Sequence, residues 1–178
     1  LKHRLLDYKS KSKEIQTDIL IGLAGETSKS HMKTLHDCFD LGFDEIHLNN
    51  IRLLAGTDYE SDEQRKLYKV KTKFRLITDA YGFYDNKLVF EIEESVRATK
   101  DMSEDELESF KILHWLINFC WNIGVFKPLL RYAIEEININ PIDILLDLLE
   151  TKDIKLRELF DSMKNESTSE WFDTKEEL

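Results

Sequence analysis

Three groups of residues have types and spacings that could do chemistry. The first is TDILIGLAGET at residues 17–27, where an apolar, β-rich run breaks at Gly22 and Gly25 before Thr27 or Ser28, either of which can cap a helix. A glycine turn between strand and helix lets backbone N–H groups and the positive helix end face an anion or a nucleotide. Asp18 and Glu26 bracket the run, so a carboxylate at its end could hydrogen-bond a ribose or an amine. The same residues also describe a plain strand-to-helix turn with Glu26 answering the helix dipole. The lysine of a P-loop and the three-glycine dinucleotide fingerprint are both missing.

The second group lies at residues 44–51, where Glu45, His47 and Asn49 alternate with Ile46, Leu48 and Asn50 and make one face polar. Lining a barrel interior or a cleft, that face would meet substrate; otherwise it faces solvent. The third group is Glu91, Glu93 and Glu94, which could hold a cation or a basic substrate, or could form an exposed strand face. His31 and His36, five residues apart, suit one helical face poorly, and His114 on an apolar stripe reads as a satisfied core histidine. No metal site and no Ser/His/Asp or Cys/His arrangement is expected.

The elements that must position these groups follow from periodicity. A strand at residues 19–23, a helix at 28–41 with Met32, Leu35 and Phe39 on one face and Gly42 as its stop, and a strand at 44–51 make a βαβ unit with parallel strands. Ser61 and Gln64 open a short helix through Leu67. Residues 71–78 and 88–96 form a hairpin about a turn near Gly82 and Asp85-Asn86. Ser103 and Glu106 form a capping box ahead of Leu107, Phe110, His114, Ile117 and Trp121, a long buried helix ended by Gly124. Pro128, Asn140-Pro141 and Asp153 mark the starts of three further helices. The division is 1–100 for the α/β part and hairpin, 101–165 for a helical extension, and 166–178 for a loosely held tail.

Composition sets limits. The 178 residues suffice for one domain with a sizeable core. A net charge of -10 argues against a general nucleic-acid or anionic-membrane surface, because phosphate binding needs clustered Lys and Arg. No apolar run is long enough to span a membrane. The two cysteines, Cys38 and Cys120, sit in apolar helical patterns and read as buried thiols of a reducing, cytoplasmic setting. Leu1 opens the chain without a methionine or a leader, which reads as a fragment of something longer.

In order, LIGLAGET at 20–27, DEIHLNNIRLLAGT at 44–57, KTKFRL at 71–76, FEIEE at 90–94 and TKDMSED at 99–105 resemble the C-terminal half of a radical S-adenosylmethionine enzyme. Members of that family often read GLPGET, then LLPGT one helix later, then similar basic and acidic stretches. The resemblance covers roughly residues 15–125. It implies the last strands of a partial (β/α) barrel, followed by a β-hairpin and a helical C-terminal extension that shapes or covers the substrate site.

By the resemblance, Leu20, Ile21, Gly22 and Leu23, with Glu26 just beyond, would contact the adenine side of S-adenosylmethionine. His47, Asn49 and Arg52 would face nucleotide or substrate. The full-length parent would carry a 4Fe–4S cluster that reduces S-adenosylmethionine to a deoxyadenosyl radical, and relatives of this layout often carry an upstream cobalamin-binding domain, with methyl transfer as one outcome. Ala24 and Ala55 replace the family's turn prolines. The CxxxCxxC cluster motif is absent, and Cys38 and Cys120 cannot replace it, so this chain would depend on a missing N-terminal half. The open barrel edge would be covered by helices or closed by a second copy as a homodimer. The competing reading is a non-catalytic acidic interaction module.

Overall fold

The structure, a computed structural model, describes residues 2–11 and 13–178. Helix α1 (Lys2–Ser10) leads to strand β1 (Gln16–Ile21), helix α2 (Ser28–Leu41) and strand β2 (Glu45–Asn50). The strands pair in parallel, from Gln16 opposite Glu45 to Ile21 opposite Asn50. Their alternation places Asp18, Leu20, His47 and Asn49 on one face and Ile19, Ile21, Ile46 and Leu48 on the other. Ile21 and Ile46 are both buried.

The crossover helix begins and ends where its local chemistry dictates. The Thr27 hydroxyl accepts the Ser30 N–H at 3.1 Å while the Ser30 hydroxyl accepts the Thr27 N–H at 2.9 Å, a reciprocal cap. At the other end Gly42 turns left-handed, and the Phe43 N–H reaches back to the Cys38 carbonyl at 3.2 Å. Between the caps, Leu35, Cys38 and Phe39 face the core.

After β2 the chain does not continue into another helix and parallel strand, which is what a barrel requires. A one-turn 3-10 segment (Asp58–Glu60) and α3 (Asp62–Tyr68), capped by Ser61, lead instead to an antiparallel hairpin, β3 (Lys71–Tyr84) and β4 (Lys87–Ala98). Asp85 and Asn86 both have positive φ, 48° and 61°, the two-residue turn whose twist suits a hairpin. The hairpin is longer than the alternation indicates, because an irregularity between Leu76 and Tyr81, with Asp79 left-handed, breaks the period without ending the ladder. The fold is therefore mixed helix and sheet, with a parallel pair and an antiparallel pair joined where Arg52 bridges Ser95. Among the described residues no barrel is formed.

The rest is helical: α4 (Glu104–Ile117), a π turn (Asn118–Asn122), α5 (Lys127–Tyr132), a second π turn (Ala133–Ile137), α6 (Pro141–Leu149) and α7 (Ile154–Ser169). Leu107, Phe110, Leu113, Leu116 and Ile117 of α4 share one core with Ile21, Ile46, Leu35 and Phe39, closed by Ile142 and Leu145 of α6 and Phe160 of α7. Each fully buried aliphatic side chain contributes about 1.5–3 kcal/mol. Cys38 and Cys120 are both free and buried here, and burial, then nearby Asp37, pushes the Cys38 thiol up to about 11.

The tail expected to be loosely held is docked. Trp171 is buried between the guanidinium groups of Arg75 and Arg97, at 4.6 and 4.5 Å from the ring centroid, and Phe172 exchanges backbone hydrogen bonds with Phe74 at 2.8 and 2.9 Å.

Gly22 has φ of 100°, and an added Cβ there would stand 3.2 Å from Val96 Cγ1 in the core. Gly22→Ala is expected to lower stability by about 1–3 kcal/mol. Urea unfolding followed by tryptophan fluorescence measures this, and an unchanged midpoint would show that the turn relaxes freely.

Candidate functional site

The turn after β1 satisfies its own polar groups. Glu26 Oε2 accepts the Gly22 and Leu23 N–H groups at 2.9 and 3.3 Å, and Asp101 Oδ2 accepts the Gly25 N–H at 3.1 Å. The Gly22 carbonyl accepts the Tyr59 hydroxyl at 3.1 Å. The amides that could have cradled an external anion are donated to internal carboxylates. Of the residues singled out here, Ile21 is buried in the core, while Leu20 and Leu23 remain exposed.

The other Glu26 oxygen starts a part-buried chain. Glu26 Oε1 lies 2.8 Å from His31 Nδ1, and His31 Nε2 lies 2.9 Å from His114 Nε2. His31 is fully buried, its ring edge-on to Phe110 at 4.7 Å. With Glu26 ionised and both rings neutral, His31 donates from Nδ1 and accepts at Nε2. His114 then donates from Nε2 and keeps Nδ1 as an acceptor. Burial first, then the neighbouring His31 and Lys111, push the His114 imidazole down to about 3. The spacing of His31 from His36 carried no hint of this chain, because its partner sits on α4.

His114 also faces a cleft along the outer edge of β2. Ile46, Leu48 and Asn50 present their backbone groups away from β1, since the Glu45 and Ile51 N–H groups point toward it. Asn122 covers part of that edge, accepting the Ile46 N–H at 3.0 Å and donating to its carbonyl at 2.8 Å. Farther along, β4 takes over, with the Leu53 N–H donating to the Glu94 carbonyl at 2.8 Å. Between the two clamps two adjoining hollows, about 450 and 180 Å³, share Leu48, Asn49 and His114 as walls.

The larger hollow holds His47, whose Nε2 stands 3.2 Å from Glu45 Oε2, together with Asp18, Asn118 and Asn122. The smaller holds Asn50, Arg52, Arg75, Glu93 and Lys111. His47, Asn49 and Arg52 are thus brought to one continuous groove, separate from the exposed Leu23 and the turn at Gly22.

The carboxylates of β4 are not an exposed face. Glu93 is buried and held by Arg52 Nε at 2.8 Å and Arg75 Nε at 2.7 Å. Glu94 is clasped by both Arg65 amino groups at 2.7 and 3.0 Å and by the Thr72 hydroxyl at 2.6 Å. Glu93 and Glu94, adjacent along the strand, each meet an arginine from a distant segment. Only Glu91 remains exposed.

Lys111 is the residue that the sequence pattern conceals. It lies one turn before His114 on α4 and, among the described residues, has no carboxylate within ion-pair distance. Arg97 beside it pairs with Glu108 instead. Burial first, then Arg97 and Arg75, push the Lys111 amine down to about 8. The arrangement can therefore offer an amine, an imidazole and two guanidinium groups to one small polar ligand.

Among the described residues no group of three or more His, Cys, Asp or Glu side chains is placed to hold a metal ion, and no helix is long and apolar enough to cross a membrane. Comparison with known protein families and with curated proteins finds no match.

The depressed His114 value has a consequence for stability. The unfolded imidazole, near 6.5, binds protons that the folded one refuses, so the stabilising effect of a neutral His114 is complete above pH 6.5 and is lost as pH falls toward about 3. In His114→Gln, urea titrations between pH 6.5 and 4 are expected to show a pH slope shallower by roughly 1 kcal/mol per pH unit. Parallel slopes would mean that the imidazole titrates normally.

Proposed function

We propose that this chain is the C-terminal part of a radical S-adenosylmethionine enzyme, contributing the adenosine and substrate side of a partial barrel. The observation that carries the reading is the in-register parallel pair β1–β2 around α2, ending in a glycine turn held against β4. Motif order along residues 20–105 supports it. The groove along β2 supports a substrate side built from His47, Asn49 and Arg52.

The residues fit the two implied groups unequally. Leu20 and Leu23 offer exposed apolar surface at the end of β1 on which an adenine ring could rest. Glu26, Gly22 and Ile21 would support that surface, since their polar groups and side chain serve the turn and the core. A 4Fe–4S cluster does not fit, because Cys38 and Cys120 are buried, their thiols raised by burial, with no third ligand among the described residues. Cluster ligands, and a cobalamin domain if one exists, would belong to an N-terminal half.

The parent coding sequence, expressed anaerobically, is expected to bind iron and sulfide and to release 5′-deoxyadenosine from S-adenosylmethionine under a strong reductant. Leu23→Asp is expected to weaken S-adenosylmethionine binding at least about tenfold, equivalent to roughly 1.4 kcal/mol. A parent without CxxxCxxC and without iron would overturn the reading.

One observation favours the alternative of a non-catalytic interaction module. The outer hairpin exposes Tyr81, Phe83, Tyr84, Leu88, Val89 and Phe90. A bare two-stranded ribbon is marginal in water, and an apolar patch of this kind marks an interaction surface. Light scattering is expected to show self-association that Phe83→Ser with Val89→Ser reduces; a monomer at all concentrations would remove self-association from this reading.

A further inference from the structure

We propose that the smaller hollow beside β2 is a carbonyl-binding site, in which Lys111 forms an imine with a small 2-oxo acid whose carboxylate is held by Arg75 and Arg52.

The geometry supplies each part. The hollow, about 180 Å³, brings Lys111, His114, Arg52, Arg75 and Glu93 to one wall-to-wall space. At about 30 Å³ per water volume it accommodates roughly six waters, which suits a ligand the size of pyruvate. Glu93 is the one carboxylate lining it, and its oxygens are engaged by Arg52 and Arg75. Arg75 also pairs with Glu170 at 2.7 Å, so the two guanidinium groups are matched by two carboxylates and Lys111 supplies the excess positive charge. That balance selects an anion.

An amine needs a free lone pair to attack a carbonyl, and an amine set among other cations and withdrawn from water is the arrangement that provides one. Lys111 is faced by Arg75 of β3, Glu93 and Arg97 of β4, Glu170 and Trp171 of the C-terminal segment, and His114 of its own helix. Burial first, and then Arg97 and Arg75, push the amine down to about 8. A substantial fraction is uncharged near neutral pH, whereas an exposed lysine near 10.4 is almost wholly protonated.

The step balances without an oxidant or reductant. The Nζ lone pair adds to the keto carbon, whose C=O π bond opens, and proton transfer gives a carbinolamine. Its C–O bond then breaks, the oxygen leaves as water with the two protons of the amine, and a C=N bond remains. His114, one turn away and neutral, offers Nδ1 as a hydrogen-bond acceptor to the carbinolamine hydroxyl. The link to His31 and Glu26 keeps its Nε2–H engaged and so leaves Nδ1 to the ligand.

The whole chain is incubated with pyruvate and sodium cyanoborohydride, and N-carboxyethyl lysines are mapped by peptide mass spectrometry. Trapping at Lys111 is expected to be roughly tenfold faster than at exposed lysines at pH 7.5, rising with pH to a plateau above about 8. Lys111→Arg should abolish the adduct at this position while leaving the others, His114→Gln should slow it, and excess acetate should compete. Because Arg75→Gln could loosen Trp171, the acetate competition on unaltered protein tests anion recognition independently. Adducts spread evenly over the lysines, or trapping at Lys111 indifferent to acetate, would overturn the proposal.

Discussion

Glu26 carries more of this architecture than its place in a turn suggests. One carboxylate oxygen takes the amides of Gly22 and Leu23 and so closes the end of β1; the other takes His31 and, through it, reaches His114 on α4. A fully buried imidazole is tolerable only when both nitrogens are partnered, so α2 and α4 must sit where they do or leave a buried polar atom unsatisfied. The strand end, the crossover helix and the main helix of the extension are registered by one polar chain threaded through an apolar core.

A second set of charges registers the hairpin. Arg52 and Arg75 converge on Glu93, Arg65 closes on Glu94, and Arg75 also reaches Glu170 at 2.7 Å. Trp171 lies between Arg75 and Arg97, which draws the C-terminal segment over the base of the hairpin. These contacts consume the carboxylates near Lys111. The groove consequently has a positive wall inside a chain whose net charge is -10. Local sign and overall sign part company because burial makes near neighbours count for much more than distant surface charge.

The two functional proposals occupy different ground. The end of β1 is closed by internal hydrogen bonds and leaves apolar surface at Leu20 and Leu23, suited to a flat ring. The groove beside β2 gathers cations, amides and an imidazole, suited to a small anion. His47, Asn49 and Arg52 line the groove because the strand's outer edge is left partly unpaired between Asn122 and β4.

What the sequence determined by itself is local. The caps at Thr27, Ser61, Ser103, Asn140 and Asp153, the stop at Gly42, the polar and apolar faces of β2 and the Asp85-Asn86 turn depend on residues within about four positions, so periodicity and turn chemistry disclose them. The hairpin too is legible from its turn, whereas the partial barrel is expected from motif order, and the parallel pair β1–β2 does not by itself form one. Tertiary structure alone decided that His114 meets His31, that Glu93 is buried between two arginines, and that Trp171 anchors the tail. It alone left Lys111 beside Arg75 and Arg97 with, among the described residues, no carboxylate within ion-pair distance. The physical reason is that such groups derive their burial and charge environment from segments far along the chain, and no local pattern encodes which of them will meet.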